Sequence, residues 1–311
     1  MATQSATLPK PQTATRTRPR RELALGKQLL YQAILLFIAF IVMFPILWVV
    51  SLSLDPRNIS RPTDLYLIPP GASLEAYRKV MDKPTANPVT FGELALNSFK
   101  LASGTAVFAT LIGVSAAYVF SRFDFRGRRF LMLMVLMVLM LPSIGTIAPL
   151  FVLLNKIRVT VGETTFILRD SLWGVGLAII SGALPFSIWN LKGYLDTIPR
   201  DLEEAGRIDG ASHNQVFFKI ILPLAVPALA VTTFLGFLSG WTEFALSWQF
   251  LTQPKDFTLS MSLWNMTGQY AGQVPWSNFA AMALLVATPV AVVYLALQKY
   301  IVGGLTVGSV K

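Results

Sequence analysis

The chain has 311 residues, of which 54% are hydrophobic and only 14% charged, with a mean hydropathy of +0.57. Soluble domains carry about 25% charge, so these values exclude a soluble globular fold and place the chain in lipid. The net charge of +10 then reflects membrane topology and anionic headgroups rather than nucleic acid, and the absence of cysteine removes disulfides and thiolate metal sites.

Residues 1–27 are rich in Thr, Pro and Arg and are predicted to form a disordered, basic cytoplasmic tail. Arg16, Arg18, Arg20, Arg21 and Lys27 precede apolar sequence, as in a secretory signal. The apolar run is about twice too long for one, however, and no small-residue cleavage pattern follows it. It is predicted to be an uncleaved first span, Leu29–Leu54. Further runs long enough to cross about 30 Å of hydrocarbon are Leu101–Phe120, Phe130–Leu154, Ser171–Leu191, Ile220–Phe250 and Trp276–Leu297. The expectation is an all-α polytopic membrane protein, with a six-helix transmembrane domain over residues 28–311. The placement of lysine and arginine, clearest in the tail and in Arg122, Arg126, Arg128 and Arg129, puts both termini in the cytoplasm.

Between the first two spans, Asp55–Asn97 forms a long outer loop. Its prolines and Gly71 predict turns, followed by a short helix near Leu74–Met81; it is either a tether or a docking surface. The basic RFDFRGRRF inner loop reads as a topology anchor. In the third span, MLPSIGTIAP brackets Gly145 between Pro142 and Pro149, and the fourth carries Gly174, Gly176, Gly182 and Pro185. Broken helices of this kind line translocation paths or permit close packing, which makes Gly145 a path candidate. In the fifth span, Glu243 is an expensive intramembrane carboxylate. Either it hydrogen-bonds hydroxyls of a solute in the path or holds an outer gate, with Trp241 stacking on a ring of that solute, or it is a polar lock or snorkels to outer water. The outer segments Lys156–Asp170 and Leu251–Pro275 follow the third and fifth spans; Phe257, Trp264, Tyr270 and Trp276 read as interface aromatics.

The most punctuated polar stretch is LEEAGRIDGASHNQVFFKIILP, within the cytoplasmic segment 196–223. Pro199 suits a first helical turn, and Asp201, Glu203 and Glu204 favour a helix N-terminus. Leu202, Ala205, Gly206 and Asp209 share one face by their spacing, and the small pair Ala205–Gly206 lets another backbone approach. Gly210 can end the helix in a left-handed conformation. Ser212 to Gln215 then reads as a capping box for a second helix with an apolar face of Val216, Phe217, Ile220 and Ile221, and His213 is an exposed cap residue. A DNA-binding reading fails on charge, because Asp196–Lys219 holds five acids and three bases where phosphate demands an excess of bases. A docking element for a soluble partner remains.

That stretch resembles the EAA loop of ABC importer permeases, whose pattern is roughly E-A-A, three residues, G, then I-x-L-P. Glu204, Ala205, Gly206, Gly210, Ile220, Leu222 and Pro223 occupy those positions, with Gly206 in place of the second alanine. SLSLDPRNI, LIPPGASLEAY, SRFDFRGRR, SGWTEF and KYIVGGLTVGSVK are similar to the carbohydrate-importer subfamily, the chain end most of all to its maltose members. The resemblance implies a MetI-like fold in the inner membrane, a second related permease subunit, an ABC ATPase dimer carrying ATP–Mg, and an extracytoplasmic sugar-binding protein. It also implies that Leu202, Glu203, Glu204, Ala205, Gly206, Asp209 and Gly210 couple to the ATPase. Malto-oligosaccharide is the first substrate expected, and another oligosaccharide or glycerol 3-phosphate the alternative.

The chain has no G-x-x-x-x-G-K-[ST] motif, so ATP is expected to bind elsewhere. The expected mechanism is a rigid lever at Leu202–Gly210 that rocks the third to fifth spans. No cofactor or metal is expected in the chain, and it is read as a transport subunit rather than an enzyme. An ion-coupled carrier, the rival of another class, would place several ionisable groups inside the spans, where only Glu243 lies.

Overall fold

A computed structural model of the protein describes residues 25–59, 64–161, 164–267 and 274–307. The chain divides into two units, 1–47 and 48–311. All described residues of the first are helical and belong to α1 (Leu25–Ser53). The helix already holds the last residues assigned to the basic tail; residues 1–24 lie outside the described part.

The second unit is built around one long helix. Ahead of it, α2 (Glu75–Asp82) forms where the short helix is expected. Ala76 and Val80 are buried in a core shared with Phe237, Trp241 and Met282, while Glu75 and Lys79 pair at 2.6 Å in solvent. This part of the loop is therefore folded into the body rather than strung across it. α3 (Phe91–Arg122) starts earlier than the apolar run because a capping box, not hydropathy, sets its beginning: Thr90 Oγ1 accepts from the Glu93 amide, and the Glu93 carboxylate accepts from the Thr90 amide at 2.8 Å.

The third span is not one helix. α4 (Arg128–Leu139) and the segment Ser143–Lys156 meet at 101°. Pro142 supplies no amide and disfavours helix at Leu141; a tight turn over Ser143–Thr146, closed by the Gly145 amide on the Pro142 carbonyl at 2.9 Å, leads into α5 (Ile147–Lys156). Beyond it β1 (Arg158–Val161) pairs antiparallel with β2 (Thr164–Ile167), Arg158 opposite Ile167. This small hairpin was not expected; its β-branched residues favour extended backbone over helix.

α6 (Leu172–Leu195) is capped by Ser171, whose hydroxyl accepts from the Gly174 amide at 3.1 Å. α7 (Asp201–Ile208) and α8 (His213–Val216) follow. A wider, π-type turn over Phe217–Ile221 and the short α9 (Leu222–Leu224) lead into α10 (Val226–Trp241). Pro223 explains the widening, since its ring crowds the carbonyl a turn earlier and it offers no amide. α11 (Ala245–Phe250), α12 (Leu259–Asn265) and α13 (Trp276–Val307) complete the chain.

Both α6 and α10 pack on α3. Lipid tails are as apolar as leucine, so membrane helices associate through close packing and polar contacts instead of hydrophobic drive. Gly236 and Gly240 of α10 lie against Ala106 and Ala102 of α3; a Cβ at Gly240 would sit 2.7 Å from the Ala102 Cα. Thr110 and Thr233 bond hydroxyl to hydroxyl at 3.1 Å, and Asn190 donates to Thr232 at 3.1 Å. Among the described residues, five helices are long and apolar enough to cross a membrane, and the bent α4–α5 pair makes six if it is one span.

Candidate functional site

The polar loop folds as a helix, an elbow and a second helix. Gly210 takes φ +87°, and the bonds Gly210 amide to Arg207 carbonyl and Ala211 amide to Gly206 carbonyl, 3.0 and 2.9 Å, close a Schellman turn. The Ser212–Gln215 capping box is present in both directions, at 2.8 and 3.3 Å. Val216 and Ile221 are buried and Phe217 and Ile220 half-buried, as the apolar face predicts; His213 is exposed.

The expected face of α7 is split. Glu203 and Gly206 point into the body, and Leu202, Glu204, Ala205 and Asp209 are exposed beside Ile208, which is 86% exposed. Gly206 is thus used inside the chain, where a Cβ would lie 2.5 Å from Ile220 Cδ1, and is not a seat for a foreign backbone. Glu203 is likewise unavailable to a partner. It is buried in an ion pair with Arg122 at the end of α3, their side chains 4% and 5% exposed. Tyr118 donates to the same carboxylate at 3.3 Å, and Arg207 approaches it at 4.0 Å.

Around this pair the end of α3 is woven into the segment before α7. Arg122 also donates to the Ile198 carbonyl at 3.0 Å, Arg200 donates to the Ser121 carbonyl at 3.1 Å, and the Ser121 hydroxyl donates to Asp196 at 2.6 Å. Lys192 completes the chain with a 2.6 Å bond to Asp196. Burial pushes the Asp196 carboxyl up, but its bonds to Lys192 and Ser121, with the nearby positive charge, outweigh burial and hold it below its ordinary value. The second span, not the third, is therefore the one fastened to α7. Arg122 was legible only as a topology anchor because basic residues are expected at the inner end of any span. Ile208 carried a readable signal, an apolar residue that, like Leu202, stands on a mostly polar helix.

The path candidates fare differently. Trp241 is buried; its ring stacks on Phe237 with centroids 5.6 Å apart, and its indole N–H donates to the Val286 carbonyl at 3.0 Å. It packs α10 against α13 and is not free to stack on a ligand, because a buried indole N–H needs a partner and has found one in the bundle. Glu243 sits in the break between α10 and α11 and caps α11: the Leu246 and Ser247 amides donate to its oxygens at 2.6 and 2.9 Å, and the Ser247 hydroxyl donates as well. Neither an interhelical lock nor snorkelling describes it; a carboxylate at a helix start is stabilised by unpaired amides and the dipole. Gly145 is exposed in the turn that bends the third span. Ile147 and Leu150 share a cluster with Phe244 and Leu246, so the breaks of the third and fifth spans are neighbours.

Fold and site together define a polytopic helical membrane protein from which one short polar helix projects, pinned at its buried face. The profile of the family described as binding-protein-dependent transport system inner membrane component matches residues 109–307. The chain belongs to that family, the multi-pass permease subunits of ABC transporters. It is 35% identical to the galactooligosaccharides transport system permease protein GanQ of Bacillus subtilis (strain 168), over 91% of this chain and 96% of that one. It is 34% identical to the maltose/maltodextrin transport system permease protein MalG of Photorhabdus laumondii, over 88% and 92%. Its fold is similar to a chain in the crystal structure of a bacterial ABC transporter involved in the import of the acidic polysaccharide alginate, with a TM-score of 0.72 over 90% of this chain and 99% of that one at 23% identity.

Proposed function

We propose that the chain forms half of the translocation path of an ATP-driven oligosaccharide importer, with both termini in the cytoplasm. Its partners are a second, MalF-like permease subunit, an ABC ATPase dimer that holds ATP–Mg, an extracytoplasmic sugar-binding protein and membrane lipid. The observation that carries this reading is the outward row of α7. Leu202 and Ile208 are exposed apolar residues among Glu204, Ala205 and Asp209, on a helix whose other side is fastened to the bundle. An exposed apolar residue ringed by charge suits the centre of a protein interface. The neighbouring breaks beside Gly145 and Glu243 support a path between the third and fifth spans, since irregular backbone in lipid is tolerated only where it is buried or lines a cavity.

Relatives named for galacto-oligosaccharides and for maltodextrin support an oligosaccharide over glycerol 3-phosphate. Malto-oligosaccharide is the first substrate to test and a galacto-oligosaccharide the second. Uptake of each labelled sugar into vesicles holding the full complex should require ATP and survive collapse of the proton gradient, whereas an ion-coupled carrier would show the opposite pattern. Ile208→Asp should release the ATPase while the subunit still folds; undiminished ATPase binding would defeat the docking reading.

A further inference from the structure

α7 has no continuous helical link to the bundle. Residues 196–200 before it are not helical, and after it Gly210 turns at φ +87° into Ala211 and Ser212, which are not helical either. A helix of eight residues is below the length of about 12–15 at which isolated helices become even marginally stable. Its direction is therefore set largely by what its buried face touches, chiefly at two residues, Gly206 and Glu203, the latter also bonded by Tyr118 at 3.3 Å. Gly206 against Ile220 is apolar and non-directional. Glu203 against Arg122 is directional, because the guanidinium is a planar fork that also holds the Ile198 carbonyl at 3.0 Å and the Ser121 hydroxyl at 3.2 Å. One side chain thus ties α7, the linker before it and the end of α3 at a single point.

Both charges have lost nearly all contact with solvent. Apolar side chains of similar volume often hold such a place equally well or better, so a buried ion pair is weak evidence for stability; its best-attested use is to specify geometry. Resting on the reading of α7 as the element gripped by the ATPase, we infer that Arg122 and Glu203 are positioning residues that make α7 and α3 one rigid body. A push on α7 then arrives at α3, and through it at α6 and α10, which pack on α3. Without the pair, α7 would be held to α3 only through the bonds of its non-helical flanks, and part of the motion would be spent there.

The chain contains no cysteine, which makes the test clean in a reconstituted importer whose other subunits are also cysteine-free. Arg122→Met with Glu203→Leu removes both charges and keeps apolar bulk. The complex should assemble and hydrolyse ATP, while sugar moved per ATP falls about tenfold, within the range typical of coupling between sites. Arg122→Cys with Glu203→Cys should behave likewise, and bridging the two thiols with a bifunctional reagent should restore the ratio while a monofunctional reagent does not. A wild-type ratio in the Met/Leu protein, or a ratio that bridging leaves low, would overturn the inference. Failure of the docking reading looks different: Ile208→Asp, with the pair intact, would keep its ATPase.

Discussion

Gly240→Ala probes the contact on which the bundle is centred. The new Cβ would lie 2.7 Å from the Ala102 Cα, 2.8 Å from the Leu101 carbonyl oxygen and 2.9 Å from the Ala102 nitrogen. Carbon atoms pack best at about 3.5–4.0 Å, so α3 and α10 must separate by roughly 1 Å. All three obstructing atoms are backbone, and no rotamer change relieves them. Overpacking of this kind costs about 1–3 kcal/mol, of which better helix propensity returns up to about 1 kcal/mol. The separation also strains the Thr110–Thr233 bond on the same interface. With about 2–4 °C per kcal/mol for a domain of this size, the variant should melt roughly 2–12 °C below a Gly→Ala control that gains the same propensity. Thermal unfolding of the detergent-solubilised subunit measures it, with Gly182→Ala as control, since no atom lies within 4 Å of a Cβ there. If the two variants melt together, close backbone approach is not what holds α3 to α10.

A Cβ at Gly210 would meet no atom within 4 Å, so Gly210→Val carries a chiefly conformational cost, about 1–2 kcal/mol for an L-residue at positive φ. It should insert normally yet move less sugar per ATP, and normal coupled uptake would remove the elbow from the mechanism. Glu243→Gln should destabilise α11 by about 1 kcal/mol, the usual worth of a helix cap, and leave the sugar concentration at half-maximal uptake unchanged; a raised value with unaltered melting would return Glu243 to the path. Because the folded-state pKa of Asp196 is depressed, its contribution is present above its unfolded value of about 3.9 and lost only as pH falls through the lower folded value. Melting of the subunit should thus show no loss traceable to Asp196 between pH 7 and about 5, tested by comparison with Asp196→Asn. A loss in that window, absent from the Asn variant, would contradict the assignment.

Apolar run length, the capping box at Ser212 and the glycine elbow at 210 were all legible in the sequence, because each depends on residues within one or two turns of one another. The same local rules located α2 and the break at Pro142. They could not reach Arg122. Its partner Glu203 is distant in sequence, and a basic residue at a span end looks alike whether it faces water or a buried carboxylate. Trp241 and Gly206 were misplaced for a related reason: nearness to Glu243 in the one case and helical spacing in the other show which residues lie together, but not what they meet. The amino-acid sequence alone thus established that the protein lies in a membrane and that a short polar helix interrupts its apolar runs. Only the tertiary structure decided which side of that helix is outward and which span it is fastened to, because burial and ion pairing depend on packing between distant segments.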